Sequence, residues 1–190
     1  MNQLLSADSP VFWLAARAFG VVAYVALALE VLLGLSATTG LLDGALGRAR
    51  VFELHRWLSA IGLGAVVLHA AVLLLDRTAG FTLADVTIPL WARYRPIAVG
   101  LGILAAYAAV TIHVSFFLRA VVGTRIWRGI HAGTFFVFVA MTLHGVLAGT
   151  DTPLLGIKLL YGAATLLVTW LVFLRLFLFL TRSVRAQTPG

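Results

Sequence analysis

Two pairs of histidines stand inside hydrophobic stretches of a 190-residue chain, His55 and His69 in one, His131 and His144 in the other. Imidazole binds metal ions through a neutral ring nitrogen and is a common axial ligand of haem iron. Ionisable groups are costly within a bilayer, so histidines there need a reason to be present. Two pairs facing one another across a bundle would hold two haems at different depths. With both axial positions of each iron filled, such centres suit electron relay better than oxygen binding. The bland alternative is a set of unrelated core histidines, each hydrogen-bonded to a neighbouring helix.

The elements that must carry these residues are membrane-like in composition. Of all residues 62% are hydrophobic and 11% charged, and the mean hydropathy is +1.04. A small soluble domain cannot hide that much apolar surface. The length suits one bundle, with no room for a separate nucleotide-binding domain. Cysteine is absent, which excludes disulfides, thiolate-held iron–sulfur clusters and a cysteine nucleophile. The formal charge is +7, but the arginines and Lys158 lie mostly at the ends of apolar runs. That is topological anchoring, and nucleic acid is not expected as a partner. Residues 1–10 carry no basic stretch ahead of a short apolar run and do not read as a cleaved signal peptide.

Five runs are long enough to span about 30 Å of hydrocarbon, which takes roughly 20 helical residues. They cover residues 12–35, 51–75, 97–118, 130–147 and 154–180. The expectation is an all-α integral membrane bundle of five transmembrane helices, forming a single domain over residues 1–190. One side carries Arg48, Arg50, Arg56, Arg119, Arg125, Arg128, Arg182 and Arg185. The other carries Arg77, Arg93 and Arg95, with Arg17 and Lys158 inside the ends of apolar runs. The positive-inside rule then puts the N-terminus outside and the C-terminus in the cytoplasm, in a multi-pass plasma-membrane protein. Trp13, Trp91 and Tyr94 would form an outer aromatic belt, and Trp57 and Trp127 an inner one.

The second and fourth spans run in the same direction, so His55 must meet His131 and His69 must meet His144. The 14 residues between His55 and His69 correspond to about 21 Å of helix and fall about 40° short of four turns, so both rings face one way. Gly62 lies midway and Gly64 nearby, where a missing side chain would let a flat macrocycle approach or simply let helices touch. His131 and His144 are 13 residues apart, a mismatch of about 140° on an ideal helix. Either that helix is distorted, with Gly133 and Gly145 as the places to permit it, or the two macrocycles approach from different sides. Arg56, Arg125 and Arg128 are placed to bind haem propionates, since guanidinium suits carboxylates. Arg128 is favoured, being one helical step of three residues from His131.

The stretch His55-Arg56-Trp57 with His69, the segment FTLADVTIPLWARYRP, Trp127-Arg128-Gly129-Ile130-His131, and Leu143-His144-Gly145 leading to Asp151 together resemble the ferric reductase-like transmembrane domain. That family includes ferric reductases, NADPH oxidases and the haem subunit that feeds periplasmic methionine sulfoxide reductase. The resemblance covers roughly residues 15–180. It implies that His55, His69, His131 and His144 ligate two b-type haems, and it makes the unequal spacing a family trait. Ferric reductases and NADPH oxidases continue into flavin and nicotinamide domains, whereas this sequence runs only to Gly190. Electrons are therefore expected from a partner flavoprotein or from membrane quinol, and are passed to an extracytoplasmic acceptor such as ferric iron or a partner reductase.

Glu30 and His113 sit at similar depths near the cytoplasmic ends of their helices. A carboxylate with an imidazole could serve a quinone or its protons, although buried polar groups often only satisfy each other. Asp76, Asp85 and Asp151 suggest an acidic fringe around His69 and His144, attractive to ferric complexes or a basic partner. Two other functions compete. One is a superoxide/quinone oxidoreductase running outside-in; the other is a non-catalytic subunit that anchors a partner complex among membrane lipids. The glycines of Gly62-Leu63-Gly64 and Gly100-Leu101-Gly102 lie in apolar helices where phosphate is unwelcome, so kinase and hydrolase readings fall away.

Overall fold

A computed structural model describes the backbone of residues 10–185 and the side chains of residues 10–181. Residues 1–9, on which the signal-peptide expectation falls, and the side chains of Arg182 and Arg185 lie outside that description. The described residues form helices joined by turns, with no strand among them. In chain order these are α1 (Pro10–Thr39), α2 (Asp43–Leu46), α3 (Arg48–Leu75), α4 (Leu83–Thr87), α5 (Pro96–Phe117), α6 (Arg119–Val122), α7 (Thr124–Ala132), α8 (Thr134–Ala148) and α9 (Leu155–Arg185). Five stretches are long and apolar enough to cross a membrane: α1, α3, α5, α7 with α8, and α9.

Most long apolar side chains point outward, as expected where lipid replaces water as the surrounding medium. The buried centre is made of small and aromatic residues from α1, α5, α8 and α9, among them Tyr24, Ala28, Ala105, Phe138, Ala140 and Ala164. Small residues let helices approach where no hydrophobic force drives them together. α1 packs chiefly on α3, and α5 on α8. These two antiparallel pairs face one another and carry the histidines between them.

The fourth span begins at Thr124, six residues before the expected start at 130. Its first turns, TRIWRGIHA, mix charge with apolar residues and so do not form an unbroken apolar run. The span breaks at Gly133, whose N–H donates to Ile130 O at 2.9 Å, a tighter i→i+3 bond. The distortion anticipated from the 13-residue spacing lies here, between the two histidines. The segment linking α3 to α5 is pinned at several points. Tyr107 donates to Thr87 O at 2.6 Å, Tyr94 to Ala148 O at 3.1 Å, and the Arg95 guanidinium to Leu147 O. Arg95 itself has φ of 42° just ahead of Pro96, which opens α5.

Candidate functional site

The histidines meet in two pairs across the bundle. His55 of α3 faces His131 of α7 with ring centroids 6.1 Å apart and planes at 67°. His69 of α3 faces His144 of α8 at 6.4 Å and 80°. An imidazole nitrogen lies about 2.0 Å from a first-row metal and roughly 1.15 Å from its own ring centre, so two imidazoles on opposite sides of one ion have centroids about 6.3 Å apart. Both pairs fit that separation. Among the described residues no group of three or more His, Asp or Glu converges to hold a bare ion. Haem iron needs only two protein ligands, because the porphyrin supplies the rest.

Three of the four rings are held by backbone carbonyls. His69 Nδ1 bonds Ala16 O at 2.7 Å, His55 Nδ1 bonds Glu30 O at 2.9 Å, and His144 Nδ1 bonds Ala98 O at 2.8 Å. A carbonyl can only accept, so each Nδ1 carries the proton and each Nε2 is left as a free base. Metal-ligating histidines usually have their other nitrogen committed in this way, which fixes both tautomer and ring orientation.

A glycine accompanies each of these carbonyls, four residues further along the same helix. The carbonyl of residue i points toward the N–H of residue i+4, so an imidazole reaching for it passes beside that position. A Cβ on Gly20 would lie 3.2 Å from His69 Nδ1, one on Gly34 3.3 Å from His55 Cε1, and one on Gly102 2.6 Å from His144 Nδ1. Of the glycines singled out from sequence, a Cβ on Gly64 would meet nothing within 4 Å and the other three do other work. Gly62 accommodates Leu27 of α1, where a Cβ would come within 2.8 Å, Gly145 accommodates the ring of Tyr161, and Gly133 lies under Ile130 O. Gly62 is therefore a helix contact and not a bed for a macrocycle. A detectable signal existed: Ala16-x-x-x-Gly20 and Glu30-x-x-x-Gly34 repeat after 14 residues, the spacing of His55 and His69 on the neighbouring helix.

The His69–His144 pair opens on a cavity of about 620 Å³, lined also by Gly20, Tyr24, Phe81, Gly102 and Tyr161. Cofactor cavities run from about 300 to 1,000 Å³, so one macrocycle is of the right order. Among the described residues Arg17 is the one arginine lining it. Arg17 Nε donates to Asp151 Oδ2 at 2.6 Å and the guanidinium lies 4.0 Å over the Trp13 ring. The acidic fringe expected here does not exist as a free surface. Asp151 is paired with Arg17, and Asp76 is buried, its Oδ1 taking the N–H of Thr78 at 3.0 Å and of Ala79 at 3.2 Å. Asp85 caps α4 through Thr82, whose hydroxyl and backbone N–H hold its carboxyl below the usual range.

His131 has no hydrogen-bond partner among the described residues. Its ring lies against Trp127, 5.2 Å away and tilted by 31°. Arg56, Arg125 and Arg128 are exposed at this end of the bundle. Glu30 and His113 come together with Ser59 around a cavity of about 30 Å³. Ser59 Oγ lies 3.0 Å from His113 Nδ1, and Glu30 Oε1 lies 3.9 Å from His55 Nε2. Such a space admits water but not a quinone ring. Leu27, Ala109, Val137 and Met141 line both this chamber and the larger cavity, so it sits between the two histidine pairs. Against family models, curated proteins and solved structures, the chain finds no match.

Proposed function

We propose that the chain is a two-haem b membrane protein of the ferric reductase-like kind, which passes electrons across the plasma membrane. The observation that carries this reading is the two pairs of facing imidazoles at 6.1 and 6.4 Å, with three of the four rings held through Nδ1. When bound, each haem supplies one-electron exchange at iron. The chain's own residues present the Nε2 lone pairs, shape the space between helices and exclude water. Arg17 lines the cavity beside His69 and His144 and would meet a carboxylate bound there, while Arg56, Arg125 and Arg128 would serve the other end.

The arginine-rich end, with Arg48, Arg50, Arg56, Arg119, Arg125 and Arg128, faces the cytoplasm, which leaves the N-terminus outside. Electrons arrive from a cytoplasmic flavoprotein or from membrane quinol, and leave beyond the His69–His144 pair to ferric iron or a partner reductase. Protons from a quinol would be received in the Glu30–Ser59–His113 chamber, whose size suits water as the carrier. His113→Ala is then expected to slow haem reduction by a quinol analogue while haem content stays constant; loss of haem would make His113 structural.

The deciding experiment measures haem per chain and reduced-minus-oxidised spectra for the native protein, His69→Ala and His131→Ala. About two b haems, with one lost in each variant, is the expected result. A protein that stays free of haem under ample supply would overturn it in favour of an anchoring subunit.

A further inference from the structure

Trp127 is one helical turn before His131 on α7, so the two side chains share a face and stack. Its indole N–H is buried yet has no hydrogen-bond partner. A tryptophan serving only as an interfacial anchor turns its N–H to lipid headgroups or water. This one is turned away from both. A buried donor without an acceptor is costly and rare, and it points to a group that completes it. No side chain among the described residues places an acceptor within hydrogen-bond reach of it. Phe116 lies edge-on at 6.4 Å, and the charged neighbours along the chain, Arg119, Arg125 and Arg128, are donors themselves. Their positive field favours an anion over a neutral acceptor.

We infer that Trp127 is a cofactor-binding residue of the His55–His131 site, its indole N–H reserved for a carboxylate of the macrocycle held there. The inference rests on the haem reading above. It also accounts for the odd status of His131, the one imidazole of the four without a carbonyl on Nδ1: Trp127 sets that ring by stacking and holds the cofactor edge by its N–H. A propionate anchored in this way loses part of its negative charge to the donor, which makes the ferrous state of the adjacent iron easier to reach.

The test uses the full chain in a His69→Ala background, where the His55–His131 haem is the only one expected. Trp127→Phe keeps the stacked ring and removes the donor; Trp127→His returns an N–H at nearly the same place. Haem content, midpoint potential and the propionate bending band in resonance Raman spectra are read for all three proteins. Trp127→Phe is expected to retain haem, lower the midpoint potential and move the propionate band, with Trp127→His restoring both toward the parent. An unchanged potential and band in Trp127→Phe would overturn the assignment, as would a shift that Trp127→His does not reverse. Should Trp127→Phe fail to fold, a Trp127→His protein with parental potential and band supports the inference, and one with both displaced as far as a propionate without a donor overturns it. Absence of haem from the parent and the variants alike would instead bring down the haem reading itself.

Discussion

The two histidine pairs have nearly the same separation but are built differently. At His69–His144 both rings are tied to carbonyls, both abut glycines, and the pair borders a cavity of about 620 Å³ lined in part by the pinned segment before α5. At His55–His131 only His55 is tied, a carboxylate lies 3.9 Å from its Nε2, and His131 rests on Trp127. The first arrangement is rigid and largely apolar, as suits a preformed site in which ligand orientation does not have to be found on binding. The second leaves one ligand to be oriented by packing alone, in a more polar setting. Similar ring distances therefore do not imply similar stability of the bound state, and the difference is open to direct attack.

The largest effect is expected from Gly102→Ala. The added Cβ would stand 2.6 Å from His144 Nδ1, too close for the ring to keep its bond to Ala98 O. Loss of such an outer contact typically weakens metal affinity about 10–100-fold, so haem should fall to half on dilution, with the His55–His131 centre spared. Gly20→Ala and Gly34→Ala impose milder contacts of 3.2 and 3.3 Å. Each should lower haem retention only a few-fold, the first at His69 and the second at His55. If all three variants behaved alike, glycine at i+4 would not be what admits the imidazole.

A smaller effect is expected from Arg17→Leu. It leaves the carboxylate of Asp151 without its partner in a half-buried position, at a cost of about 1–2 kcal/mol. Thermal unfolding in detergent should fall by a few degrees, with haem released first from the His69–His144 side. The smallest belongs to Asp85→Asn. The Thr82 hydroxyl and N–H stabilise the ionised carboxyl, so this contribution is present above the ordinary carboxylate pKa and is lost as pH falls through the lowered one. The variant should be slightly less stable than the parent near neutral pH, and the gap should close in acid.

Some of this was legible in the residues themselves. Five apolar runs are visible because a membrane span must be long and nearly uncharged, and the structure moves their ends by only a few residues apart from Thr124. The pairing of His55 with His131 and of His69 with His144 follows from counting spans, since two helices separated by one other run the same way. The angular mismatch between His131 and His144 was legible on an ideal helix, but it allowed either a distorted helix or two different directions of approach, and the break at Gly133 is decided by the fold. Gly62 is the helix contact that small residues favour in membranes, whereas the glycines that admit the imidazoles stand on α1 and α5, which supply the carbonyls, and no pattern on the histidine-bearing helices points to them.

The sequence by itself determined the number of helices long and apolar enough to span a membrane, the position of each histidine along its helix and the order in which the histidines meet, because these depend only on length, hydrophobicity and rise per residue. Only the tertiary structure decided that Ala16, Glu30 and Ala98 offer their carbonyls, that Arg17 takes Asp151, and that the N–H of Trp127 is buried. Those outcomes depend on how each helix is rotated about its own axis. In helices that are apolar all round, no stripe of side chains announces the inward face, so rotation is settled by packing against neighbours.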